Sequence, residues 1–136
     1  MEQPQQGTVL VVEDSPMFRK MLADMLQTLG YARVEEASSG TAAMERLSSK
    51  TAQPPVLVCL DLTLPDVSGF DVCEFIRAQP GLKDLPVLMI SARTQTMDRA
   101  QAEEAGASGY LIKPFSPEEL RHQLERVLAL APRKEA

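Results

Sequence analysis

The stretch Val56-Leu57-Val58-Cys59-Leu60-Asp61-Leu62-Thr63-Leu64-Pro65-Asp66-Val67-Ser68-Gly69 decides how this chain folds. Val56 to Leu60 are apolar at every position, as expected of a parallel strand covered on both faces, where neither side meets water. An acid follows at once. Asp61 stands where such a strand emerges at its carboxyl end, and Pro65 with Gly69 marks the loop leading to the next helix. Ligands of open α/β sheets bind along that edge, which makes Asp61 the first candidate for chemistry.

The same grammar recurs on either side. Thr8 to Val12 form a second apolar run that ends in Glu13 and Asp14. Ser15 as cap and Pro16 at the first helical position open a helix whose apolar residues, Phe18, Met21, Leu22, Met25, Leu26 and Leu29, follow at helical spacing. Gly30 stops it. Tyr31 to Ala37 hold Val34 among charged residues and read as an edge strand, and a short helix from about Thr41 to Ser49 turns Ala43 and Leu47 inward. Beyond the central strand, Ser68 with Asp71 forms a capping box for a helix through about Ala78, with Phe70, Cys73 and Ile76 as its stripe. Val87 to Ile90 give a fourth strand ending at Ser91 and Ala92. A helix over about Met97 to Ala105 stops at Gly106. Tyr110 to Ile112 give a fifth strand, ending in Lys113-Pro114-Phe115. Ser116, Pro117 and Glu119 start the last helix, whose buried face is Leu120, Leu124, Val127, Leu128 and Ala131. Five β-α cycles imply a parallel sheet with helices on both faces and right-handed crossovers.

A chain of 136 residues fits one domain of the common size of about 100–150 residues. With 44% hydrophobic residues it has material for a core. A net charge of −5 argues against direct nucleic-acid binding or an anionic membrane surface. Every apolar run is far shorter than the roughly 20 residues needed to span a bilayer, and Met1 to Gly7 lacks the regions of a signal peptide. A cytoplasmic protein without membrane insertion is expected. Cys59 and Cys73 show no ligand spacing and read as small buried hydrophobes. His122 reads as solvent-exposed, and the methionines at helical spacing as core filler.

Four strands therefore deliver polar side chains to one edge: Glu13 and Asp14, Asp61, Ser91, and Lys113. Singly, each has an ordinary reading. Asp14 caps a helix, Ser91 belongs to a turn, Lys113 is a solvated lysine, and Tyr110 is core. Together they describe a site. Three acids packed there repel one another unless a cation offsets them, and a hard divalent ion such as Mg²⁺ takes one or two carboxylates while keeping positions for water or phosphate oxygens. Lys113 as a compact charge and Ser91 as a hydroxyl donor suit phosphoryl oxygens. The chemistry inferred is phosphoryl transfer onto Asp61.

With these residues in hand, the chain resembles the receiver domain of two-component response regulators. The motifs are V-V-E-D-S at Val11 to Ser15, D-L-T-L-P-D-V-S-G at Asp61 to Gly69, S-A at Ser91 and Ala92, and K-P-F at Lys113 to Phe115, and the likeness runs from about Thr8 to Leu130. It implies a doubly wound, flavodoxin-like five-stranded sheet of order 2-1-3-4-5 with five helices. Residues 1–7, rich in Gln and Pro, are expected to be a disordered leader, with 8–131 the receiver domain and 132–136 a short tail. The resemblance further implies Asp61 as phosphoacceptor, charged by a sensor histidine kinase or a phosphotransfer protein. Asp14 would bind Mg²⁺ directly, Glu13 through or beside a water, and the backbone carbonyl of Thr63 would complete the protein ligands. Lys113 and Ser91 would hold the phosphoryl oxygens, with Ser91 and Tyr110 as switch residues. The peptide before Pro114 would be cis. The face from about Met97 to Leu130, the fourth helix, fifth strand and fifth helix, would change its affinity for a downstream protein. Glu13 stands where Asp is also common, and Thr63 and Arg93 occupy positions that tune phosphate lifetime in the family.

The expectation is thus a stand-alone regulator of the chemotaxis kind, with no output domain after Leu130, monomeric or weakly dimeric. It is no enzyme in the ordinary sense, although it assists its own phosphotransfer and dephosphorylation. The competing reading within the class is a degenerate receiver that binds its partner without phosphate. Outside the class, a flavodoxin-like electron carrier needs a phosphate-cradling loop after its first strand, which Glu13-Asp14-Ser15-Pro16 is unsuited to form. Phosphatases of the haloacid dehalogenase type place their nucleophile after the first strand rather than the third.

Overall fold

The computed structural model describes residues 7–92 and 96–129. Strands β1 (Thr8–Val12), β2 (Arg33–Ala37), β3 (Leu57–Asp61), β4 (Val87–Ser91) and β5 (Gly109–Ile112) alternate with helices α1 (Pro16–Thr28), α2 (Gly40–Leu47), α3 (Gly69–Ala78), α4 (Thr96–Ala105) and α5 (Pro117–Ala129). The strands pair in parallel in the order β2-β1-β3-β4-β5, as expected. The polar second strand lies at the edge.

The unbroken apolar runs are explained by two cores, one on each face of the sheet. Side chains alternate across a strand, so Leu10, Val12, Val58, Leu60, Val87 and Met89 face one way. They meet Ala43 and Leu47 of α2, Val72, Cys73 and Ile76 of α3, and Ala102 of α4. Val9, Val11, Leu57, Cys59, Leu88 and Ile90 face the other way, onto Leu22 and Leu26 of α1 and Leu120, Leu124 and Val127 of α5. Both cysteines lie in these cores, and burial pushes the Cys59 thiol up to about 12 and that of Cys73 to about 11. Neither is a thiolate at neutral pH, so their role is packing.

Local signals end the helices where the sequence places them. The Ser15 hydroxyl accepts from the Phe18 amide, and Gly30 takes φ 106°, a conformation that costs other residues more. Ser68 and Asp71 form the reciprocal capping box of α3. At α5 the Ser116 amide donates to Glu119 Oε1 at 2.9 Å while the Glu119 amide donates to Ser116 Oγ at 3.1 Å.

Two helical stripes differ from expectation. Met21 is not core filler: it is 39% exposed, because α1 meets the sheet through the Leu22–Leu26 row and leaves Met21 beside the contact. In α3, Val72 is fully buried and Phe70 only half-buried, because Val72, Cys73 and Ile76 share the face turned to the sheet. Ala131, the leader up to residue 6 and the tail lie outside the described residues.

Gly69 connects the core to the sheet edge. Its amide donates to the Leu62 carbonyl at 2.8 Å, and a Cβ there would stand 2.5 Å from the Asp61 carbonyl oxygen and 2.8 Å from Leu62 Cα. Backbone cannot swing aside as a side chain can. Gly69→Ala is expected to push α3 off the end of β3 and to destabilise the fold by about 1–3 kcal/mol, as overpacking typically does. The change in urea midpoint measures this, and a midpoint equal to wild type would show that α3 can step back freely.

Candidate functional site

Glu13, Asp14 and Asp61 converge at the carboxyl edge, each offering an oxygen within 4.8 Å of the others. β1 and β3 are neighbours in the sheet, so the residues that leave their ends arrive side by side. Glu13 is held at both ends. Its amide donates to the Ala37 carbonyl at 3.0 Å, and its Oε2 accepts from the Ser15 amide at 2.9 Å. Asp61 is buried, its Oδ1 accepting from the Thr63 amide at 3.1 Å, while Asp14 is exposed at the mouth.

Lys113 reaches in from the far side. Its amide donates to the Ser91 carbonyl at 2.8 Å, which ties the end of β5 to β4, and the Lys113–Pro114 peptide is cis. Its Nζ lies 2.7 Å from Glu13 Oε1 and 3.2 Å from Asp61 Oδ2. Burial alone works against the ammonium, but the hydrogen bond to Glu13 and the charge of Asp61 outweigh it and raise the Lys113 pKa. The lysine is therefore charged throughout the neutral range. Three carboxylates against one ammonium still leave a negative surplus of hard oxygen donors, the donor set that Mg²⁺ accepts. Both oxygens of Glu13 and both of Asp61 already accept hydrogen bonds, which leaves the exposed Asp14 as the freest donor of the three.

The other expected residues surround this cluster. Ser91, the last residue of β4, is buried and pairs in register with Ile112, one residue before Lys113. Thr63 is exposed, two residues past Asp61. Tyr110 is buried on β5, with the Arg99 guanidinium of α4 5.5 Å from its ring centroid.

Three contributors were not apparent from spacing. Arg19 on α1 donates to the Glu13 carbonyl at 2.8 Å and pairs with Glu36 of β2 at 2.8 Å, clasping the loop that carries both first-strand acids. Phe18 places its ring under the Lys113 ammonium. Asp66, in the loop after Asp61, accepts from the Gly40 and Thr41 amides at 3.0 and 2.8 Å and so caps α2 from a distance. The one advance sign of Arg19 is a basic residue one turn into an otherwise apolar helix stripe.

The sequence model of the response regulator receiver domain matches residues 9–125. The chain belongs to the response regulator receiver family. Among its relatives, the chemotaxis protein CheY1 of Helicobacter pylori is 36% identical over 120 residues, 88% of this chain and 95% of that protein. The solved chemotaxis response regulator CheY4 of Vibrio cholerae superimposes with a TM-score of 0.80 at 34% identity, covering 89% of this chain and 98% of that one. The receiver domain of a Pseudomonas aeruginosa sensor histidine kinase gives a TM-score of 0.80 at 31% identity over 90% of this chain and 98% of its own. That structure has a magnesium ion coordinated in its active-site cleft. Among the described residues of this receiver, no helix is long and apolar enough to cross a membrane.

Asp66 gives the receiver a pH-dependent stability. Hydrogen bonds from Thr41, first, and from Gly40 and Val67 hold its carboxyl well below the usual carboxylate range. A depressed folded pKa contributes stability above the unfolded value of about 3.9, and that contribution falls as pH drops below it. Wild type is accordingly expected to exceed Asp66→Asn in denaturant midpoint at pH 7, with the difference shrinking from about pH 4 downward. A gap that stays constant from pH 7 to pH 3 would contradict this.

Proposed function

We propose that this receiver takes a phosphoryl group onto Asp61 from the phosphohistidine of a sensor kinase or phosphotransfer protein. The modification then alters how its α4-β5-α5 face binds a protein target. The observation that carries the reading is the Lys113 ammonium shared between Asp61 and Glu13, with Asp14 alongside, at the one sheet edge where all these strands end. A phosphorylation-independent binding module has no use for such an assembly of mutually repelling acids.

Asp14, Asp61 and the Thr63 carbonyl would hold Mg²⁺, with Glu13 acting through water. When bound, the ion supplies positive charge to phosphoryl oxygens, whose repulsion otherwise opposes the approach of a carboxylate. Asp61 uses an oxygen lone pair to form the new O–P bond. The bond from phosphorus to the donor imidazole breaks, and the imidazole nitrogen keeps its electrons. Lys113 already lies beside the attacking carboxylate, so its ammonium meets the transferred group without a long excursion. The Ser91 hydroxyl donates to another phosphoryl oxygen. Water later attacks phosphorus, releasing inorganic phosphate and restoring the carboxylate. Tyr110 stands three residues before Lys113 on β5 and lies beneath Arg99 of α4, a contact that joins two elements of the proposed output face.

Incubated with Mg²⁺ and acetyl phosphate, the protein is expected to gain one phosphate in intact mass. Asp61→Asn, or omission of Mg²⁺, is expected to abolish the gain. A gain retained in Asp61→Asn would contradict the assignment. Mg²⁺ alone at tenfold over its Kd should stabilise the fold by about 1.4 kcal/mol through mass action. Asp14→Asn should lose that rise in thermal midpoint, and an unchanged rise would remove Asp14 from the ligand set.

A further inference from the structure

The Lys113 ammonium has a third neighbour besides its two carboxylates. Its Nζ lies 4.0 Å from the centroid of the Phe18 ring, well inside the roughly 6 Å over which a ring face attracts a cation. The ring is itself fixed. The Phe18 amide is bonded to the Ser15 cap at 3.3 Å, and the ring meets Phe115 edge-on at 5.8 Å and 84°. Phe115 is buried in the core shared by α1 and α5, and Phe18 packs half-buried against that core. The contact therefore runs from the packed interior to the Lys113 ammonium at the site.

Aromatic and carboxylate partners hold an ammonium differently. Glu13 and Asp61 attract Lys113 by formal charge, and that attraction changes whenever a cation or a phosphoryl group enters the cluster. The ring has no proton to gain and no metal to bind. Its quadrupole holds the ammonium through every charge state of the acids, and its bulk limits the swing of a four-carbon stem that is otherwise freely rotating. Resting on the receiver reading above, we infer that Phe18 is a positioning residue for phosphotransfer: its ring face keeps the Lys113 ammonium beside Asp61, ready for the incoming phosphoryl oxygens.

The test compares wild type, Phe18→Leu and Phe18→Tyr, with thermal midpoints recorded for all three. Protons over an aromatic face are shifted upfield, so in lysine-labelled protein the Lys113 ε-methylene signal, assigned with Lys113→Arg, reports the contact without phosphate. Wild type and Phe18→Tyr are expected to show the upfield shift and Phe18→Leu to lose it. With acetyl phosphate at saturating Mg²⁺, Phe18→Leu should lower the maximal phosphorylation rate about two- to fivefold, the size that a partly exposed cation–π contact supports. The half-saturating donor concentration should stay unchanged, and Phe18→Tyr should restore the rate. An unshifted Lys113 signal in wild type overturns the inference. So does a Phe18→Leu rate equal to that of wild type where wild type takes phosphate, or a rate loss that Phe18→Tyr fails to restore. Wild type that takes no phosphate overturns the receiver reading instead, and with it the claim about rate.

Discussion

Like charges crowded at one sheet edge are the constraint from which the rest of this structure follows. Glu13, Asp14 and Asp61 are within a few ångströms of each other, and two of the three are buried. In water such groups separate. Here the backbone holds them together, and the cation that makes the arrangement tolerable comes from the opposite end of the chain, a hundred residues beyond Glu13. Only a fold that brings β1, β3 and β5 to a common edge can supply that contact. The parallel sheet does so because every strand points the same way and every crossover returns on a face.

The loops at that edge are braced by groups that take no direct part in the cluster. Arg19 holds the carbonyl of Glu13 while pairing with the edge strand. Asp66 fastens the loop after Asp61 to the start of α2. Gly69 lets α3 come close to the backbone of Asp61 itself. Each brace links a loop to a different neighbouring element, so the acids cannot relieve their repulsion by drifting apart. The opposite edge has its own fastening: Arg77 of α3 donates to the carbonyls of Leu85 and Gly106, at 2.7 and 2.8 Å, and joins the loops before β4 and β5.

How much of this was legible depends on the range of the interaction involved. Strands covered on both faces announce themselves as unbroken apolar runs, so Thr8 to Val12 and Val56 to Leu60 gave the central sheet almost to the residue. Caps are local too, and Ser15, Ser68 and Ser116 all mark true helix starts. Strand order is not local; it followed from the family resemblance, as did the cis peptide before Pro114. The convergence of Glu13, Asp14, Asp61 and Lys113 could be anticipated because each stands at a strand end. The braces could not. Arg19, Phe18 and Asp66 act through tertiary contacts that no spacing rule encodes, and Met21 misled because a helical stripe wider than its contact leaves one member outside.

Asp61, rather than either acid beside it, is the residue proposed to carry the phosphoryl group. Reducing the phosphorylated protein with borohydride converts an aspartyl phosphate to homoserine, and peptide sequencing by mass spectrometry then locates it. Homoserine is expected at position 61, with unmodified residues at 13 and 14. A reduced residue at position 13 or 14, with Asp61 intact, would contradict the assignment.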